Sequence, residues 1–161
     1  MNLYLLRHGE AEANASSSAG RQLTDAGVEE VLNVARQFAL RNLRIDRCLA
    51  SPALRAQQTA ETFLSMQFVT PEIETLEALS ANQRAAQLMH YLENVREENV
   101  LLVSHNPILS ELLALLTSGN IDHMHILETG NLACVTLDIV GLGMGMCPFI
   151  LEPDPAQMPA S

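Results

Sequence analysis

Three short apolar runs constrain the fold of this chain more than any other feature. Each stops abruptly at polar residues, and each leads into a helix or a loop before one. The first, Asn2-Leu3-Tyr4-Leu5-Leu6, ends at Arg7-His8-Gly9-Glu10. The second, Cys48-Leu49-Ala50, ends at Ser51-Pro52, with Arg55 just beyond. The third, Val100-Leu101-Leu102-Val103, ends at Ser104-His105-Asn106-Pro107. Adjacent apolar residues of this kind suit strands buried on both faces.

The stretches between them carry helical spacing. Thr24 reads as an N-cap with Asp25 in the first turn, followed by Val28, Val31, Leu32, Ala35 and Phe38 as far as about Leu40. Gly27 is read as a local weakness in that helix. Ser51 reads as the cap and Pro52 as the first position of a second helix, Asn82 as the cap of a third, and Asn106-Pro107 as the start of a fourth. Strands alternating with helices predict an α/β fold with a mainly parallel sheet, right-handed crossovers and helices on both faces. Leu132 to Ile139, a glycine-rich turn at Gly141 to Gly145, and Met146 to Leu151 read as an antiparallel edge near the C-terminus. Residues 1–152 are expected to form one domain and residues 153–161 a flexible tail.

Parallel strands place all three polar ends on one edge of the sheet, where open α/β sheets bind ligands. Arg55, one turn into its helix, leans back toward that edge, because long helical side chains point toward the N-terminus. The candidate site is therefore His8, His105, Arg7 and Arg55. Arginine forks match the oxygens of a phosphoryl group in pairs. A neutral imidazole nitrogen can attack phosphorus and form a covalent intermediate. A second imidazole facing it can hold a phosphoryl oxygen in the transition state. The cations and imidazoles supply the positive charge, so neither metal nor cofactor is expected.

Net charge narrows the partners. At −10, with no lysine among its nine cations, the chain is a poor match for nucleic acid. The first apolar run is too short to span a membrane and lacks the basic start of a signal peptide. Cys48, Cys134 and Cys147 are odd in number and widely spaced, which predicts reduced, buried thiols and a cytoplasmic setting. His123 and His125 lack a nearby third ligand and read as incidental loop histidines. His90 reads as a helix surface residue. Gly141, Gly143 and Gly145 do not form a dinucleotide fingerprint, since a strand follows them.

These fragments resemble the motifs of the histidine phosphatase superfamily, the phosphoglycerate-mutase-like fold. Leu6-Arg7-His8-Gly9-Glu10 is similar to its Arg-His-Gly signature. Ser51-Pro52-Ala53-Leu54-Arg55-Ala56-Gln57-Gln58-Thr59 resembles its second motif, and Val103-Ser104-His105-Asn106-Pro107 its third. Arg21-Gln22-Leu23-Thr24-Asp25-Ala26-Gly27 resembles the start of its first helix. The resemblance implies that His8 is the nucleophile and that Arg7, Arg55 and His105 form the phosphate pocket. It adds Arg21 and Asn14 as candidate phosphate or substrate contacts.

The short chain and its Leu-Arg-His-Gly start most resemble the SixA branch. That likeness implies a phosphohistidine-bearing protein as partner, a phosphotransfer domain or phosphocarrier, met by a monomer at a shallow, open site. Glu77 is the nearest candidate for a leaving-group acid, but its surroundings match the superfamily pattern poorly. The rivals are a small-molecule phosphomonoesterase or mutase of the same fold, and a catalytically silent phosphoprotein-binding module.

Overall fold

Leu3, Tyr4, Leu5 and Leu6 are each no more than 1% exposed, so the opening strand is covered on both faces. The computed structural model describes residues 1–13 and 17–158. Its strands are β1 (Asn2–Arg7), β2 (Arg47–Ala50), β3 (Ile73–Thr75), β4 (Asn99–Ser104), β5 (Leu132–Leu137) and β6 (Gly145–Leu151). Its helices are α1 (Asp25–Ala39), α2 (Leu54–Leu64), α3 (Ala85–Leu92) and α4 (Ile108–Ser118). The sheet order is β3-β2-β4-β1-β5-β6. The first four strands in that order are parallel, and β5 and β6 run antiparallel as a hairpin at one edge.

Alternation along the strands sorts two cores. Leu3, Leu5 and Leu102 pack with Leu88 and Leu92 of α3 and with Leu109 and Leu112 of α4. Tyr4, Leu6, Leu101 and Val103 pack on the other face with Val31, Val34 and Phe38 of α1 and with Ala56, Ala60 and Phe63 of α2. The Tyr4 ring meets Phe38 edge-on at 4.9 Å, and Phe38 meets Phe63 at 5.3 Å. Each large apolar side chain buried in this way contributes roughly 1.5–3 kcal/mol relative to exposure. The expected layering, with helices on both faces and an antiparallel C-terminal edge, is the one observed.

The cap of α1 is as expected: Thr24 Oγ1 accepts from the Gly27 N–H at 3.0 Å. Gly27 itself is more than a local weakness. It is buried, and a Cβ there would overlap the Glu10 backbone, while a Cβ on Gly9 would overlap the Gly27 backbone. Two glycines thus let α1 press directly on the chain leaving β1.

Three helix starts differ from expectation. α2 is capped at Ala53, not Ser51. Ser51 still extends the sheet through its N–H to the Val103 carbonyl (2.9 Å), and its hydroxyl accepts from the Ala53 N–H (3.3 Å). α3 begins after Arg84, not Asn82, and has no side-chain cap. α4 begins at Ile108 after Pro107, which leaves the Asn106 side chain free for other contacts. Cys48 and Cys134 are buried as expected, but Cys147 is only half-buried; all three are free thiols. The C-terminal segment is tied to α1 by Asn33 Oδ1, which accepts from the Asp154 N–H at 3.0 Å.

Candidate active site

Strand register assembles the site. Arg7 lies opposite Ser104, and Ala50 lies opposite Val103, so β1, β4 and β2 end side by side. The pairing continues one residue further through the His8 N–H to the Ser104 carbonyl, 2.9 Å. Arg7, His8, Arg21, Arg55 and His105 line one cavity of about 320 Å³. Five of the six residues singled out from sequence therefore converge; Asn14 lies outside the described residues. The cavity floor is made of buried side chains, with His8 7% exposed, Arg55 4% and His105 4%.

Hydrogen bonding settles the state of the His8 ring. Its Nδ1 lies 2.7 Å from the Gly9 carbonyl oxygen, which can only accept, so Nδ1 carries the proton. Its Nε2 lies 3.1 Å from Arg55 Nε, which can only donate. The Nε2 atom is therefore unprotonated, and its lone pair accepts from the Arg55 Nε–H. Burial is the main cause that lowers the His8 pKa to about 4, with Arg55, Arg7 and His105 adding smaller contributions. The loss of water around the ring is thus a larger effect than the flanking arginines.

Arg7 and Arg55 are each held by a backbone carbonyl. Arg55 Nη1 donates to the Ser18 carbonyl at 2.7 Å. Its pKa is lowered, first by burial and then by the charge of Arg21. Arg7 Nη1 donates to the Leu127 carbonyl at 2.6 Å, and the nearest carboxylate, Glu128, is 3.9 Å away. The Nε atoms of Arg7 and Arg21 are buried without a partner among the described residues, and so are both ring nitrogens of His105. The Ser80 backbone lies near enough to pull the His105 pKa upward, but burial and the flanking arginines lower it on balance. Four orphaned atoms, each costing about 1–3 kcal/mol when desolvated, mark a place built for a ligand with many acceptors.

Several positioning groups had no signal in the sequence. The carbonyls of Gly9, Ser18 and Leu127 aim His8, Arg55 and Arg7. Asn106 had a signal that was misread as a cap. Its Nδ2 donates to the Leu127 carbonyl at 2.8 Å, and its Oδ1 accepts from Ser110, whose oxygen accepts from the Leu127 N–H. Gln58 Oε1 accepts from the Leu23 N–H at 2.9 Å, which pins the loop carrying Arg21 to α2. Glu77 is exposed, accepts from the Ser80 hydroxyl at 3.2 Å, and does not line the cavity. His90 is exposed beside Glu93, and His123 and His125 are exposed in their loop. Among the described residues no three His, Cys, Asp or Glu side chains group as metal ligands. No helix among them is long and apolar enough to cross a membrane.

Comparison with known proteins agrees with this geometry. The sequence profile of the histidine phosphatase superfamily (branch 1) matches residues 3–80. The phosphohistidine phosphatase SixA of Escherichia coli is 33% identical over 146 residues, which cover 89% of each chain. This chain belongs to the histidine phosphatase superfamily. A SixA homolog of Haemophilus influenzae is 33% identical over 126 residues, covering 71% of this chain and 76% of that protein. Among solved structures, the protein histidine phosphatase SixA complexed with tungstate superposes with a TM-score of 0.85 at 30% identity, covering 95% of this chain and 97% of that one. The α-ribazole phosphatase of Shigella flexneri, at 21% identity and a TM-score of 0.63 over 89% of this chain and 96% of that one, shares the fold.

Proposed function

We propose that this protein is a phosphohistidine phosphatase that works through a phospho-His8 intermediate. The observation that carries the reading is the fixed tautomer of His8, with Nδ1–H on the Gly9 carbonyl and an unprotonated Nε2 that accepts from Arg55 Nε. The phosphoryl oxygens of the substrate replace the missing partners of Arg7, Arg21 and His105. Each charge-assisted hydrogen bond contributes about 1.5–3 kcal/mol. His8 Nε2 attacks phosphorus as the bond to the leaving nitrogen breaks, and that nitrogen keeps the electron pair. The phosphorylated His8 ring still holds its Nδ1 proton, so it is cationic. Water then attacks phosphorus, the ring departs as neutral imidazole, and orthophosphate is released.

The leaving group makes a carboxylic acid dispensable: Glu77 lies off the cavity, and Glu10, which lines it, accepts from the Thr24 hydroxyl at 2.8 Å. An alkoxide needs a proton donor as it leaves. A phosphohistidine ring protonated by solvent leaves as neutral imidazole, since histidine titrates near pH 6.5. Glu77 stands outside the cavity, which suits P–N cleavage better than P–O cleavage. Tungstate, the ligand of the solved SixA, is a tetrahedral oxyanion of the same shape as phosphate. The substrate proposed is a phosphohistidine-bearing protein, such as a histidine-containing phosphotransfer domain or phosphocarrier. The protein meets it as a monomer in the cytoplasm, where its three thiols stay reduced.

The test is a phosphatase panel on purified protein without added metal. Phosphohistidine protein is expected to turn over at least tenfold faster than sugar phosphates. Wild type is expected to trap an acid-labile phosphoryl label that His8→Ala lacks. Turnover that survives His8→Ala, or a preference for sugar phosphates, overturns the reading.

A further inference from the structure

A second cavity of about 220 Å³ opens beside the first and shares its Arg55, Ala81 and His105 wall. His8 borders the first cavity but not the second. In-line phosphoryl transfer puts the attacking and leaving atoms on opposite sides of phosphorus. A phosphoryl group bound at His8 therefore directs its leaving group away from that ring, past the shared wall. Resting on the function proposed above, we propose that the second cavity is the seat of the leaving group. Its lining fits a small, neutral, five-membered ring, the imidazole of a phosphohistidine.

Size and charge both support this occupant. The cavity lies below the roughly 300–1,000 Å³ of sites for larger ligands. Beyond the shared wall it is lined by Ala19, Pro52 and Ala53 and by serines, with no carboxylate and no further cation. The hydroxyls of Ser51 and Ser80 are already engaged, with the Ala53 N–H and with Glu77. A phosphoglycerate brings a second anionic group, whereas the cationic and imidazole side chains of this lining, Arg55 and His105, belong to the wall shared with the phosphoryl site. An imidazole brings an apolar face and one N–H. Two rims frame the seat: the 3-10 turn at Ser18–Gly20 and the turn from β2 into α2.

In the step itself, the bond from phosphorus to the substrate ring nitrogen breaks while the bond to His8 Nε2 forms. The substrate ring, protonated on its other nitrogen, takes the electron pair and remains in the seat as neutral imidazole until it withdraws with its protein.

The experiment compares two small phosphoryl donors, N-phosphorylimidazole and phosphoramidate. They carry the same phosphoryl group, but one leaves as a ring and the other as ammonia. Ala19→Phe and Pro52→Phe, made separately, fill the seat from its two rims; both positions are exposed in this structure. The ratio of kcat/KM for N-phosphorylimidazole over phosphoramidate is expected to fall at least tenfold in either variant. Orthovanadate inhibition, read in parallel, reports that the phosphate pocket is intact. A ratio within twofold of wild type, in either variant that still binds vanadate, overturns the seat. Wild type that hydrolyses neither donor overturns the underlying reading, and the seat with it.

Discussion

Arg7 and Arg47 have nearly the same side-chain exposure, 22% and 23%, yet their surroundings are opposite. Arg47 begins β2 at the amino edge of the sheet. Its Nε and Nη2 grip both oxygens of Glu74 at 2.9 and 2.8 Å, Tyr91 accepts from it at 3.3 Å, and Glu97 lies 3.6 Å away. Arg7 ends β1 at the carboxyl edge. It has one carbonyl, a distant carboxylate and an orphaned Nε. Partial burial of a guanidinium therefore says little about its role; what separates the two is whether the protein completes its hydrogen bonding. At one edge the fold closes the circuit with its own carboxylates. At the other it leaves donors open, at a cost in stability that an oxyanion can offset.

The largest effect that tests this contrast is on turnover. Arg55→Ala is expected to lower kcat/KM for phosphohistidine protein by about 10²–10³-fold, the scale for losing one preorganised donor. Arg47→Ala is expected to leave it within twofold and to lower stability by about 1 kcal/mol, measured by urea unfolding. Comparable losses of activity in both variants would erase the distinction. Oxyanion binding gives the next largest effect. A tungstate concentration 100 times its Kd stabilises by about 2.7 kcal/mol, which raises Tm by roughly 5–10 °C for a chain of this size. Differential scanning fluorimetry should show that rise in wild type and in Arg47→Ala, and not in Arg55→Ala.

Titration sharpens the contrast further. With a folded pKa of about 4, His8 stays neutral at pH 7, and the acid limb of kcat/KM is expected as pH drops through about 4, the alkaline limb belonging to the substrate ring that must be protonated to leave. The unfolded chain binds this proton near pH 6.5, before the folded one does. Stability therefore declines as pH falls from about 6.5 to 4 and levels off below, by on the order of 3 kcal/mol for this group. His8→Ala should flatten that part of the profile in urea titrations taken at each pH. An acid limb of activity near 6.5 would show that the ring is better hydrated than its burial indicates. The smallest effect belongs to Glu77→Gln, expected to keep phosphohistidine turnover within twofold; a thousandfold loss would restore a role for the acid.

Much of this was legible in the residue order, and for local reasons. β1 and β4 announce themselves because both faces are covered, which forces unbroken apolar runs. The Thr24 cap and the stripe behind it depend only on neighbours within one turn. The convergence of Arg7, His8, Arg55 and His105 follows from parallel strands ending in register. Other features depend on partners far along the chain. Ser51 looks like a cap but is still paired to β4, so α2 starts two residues later than its composition suggests. Asn106 reads as a cap, whereas its amide reaches the Leu127 carbonyl in a distant loop. The carbonyls that aim the side chains of the cavity carry no residue identity at all, so no pattern could have named them.

The contact between Gly9 and Gly27 has a consequence for how this protein can vary. Most packed positions absorb a substitution by rotating a side chain, but here main chain meets main chain and nothing is free to rotate. Even a methyl group at either place must displace a whole helix relative to the residue that precedes it, which is His8 on the strand side. Variation can range widely along the outer face of α1, yet this one spot permits no gradual drift, and a library of single replacements should find it among the least tolerant sites in the chain.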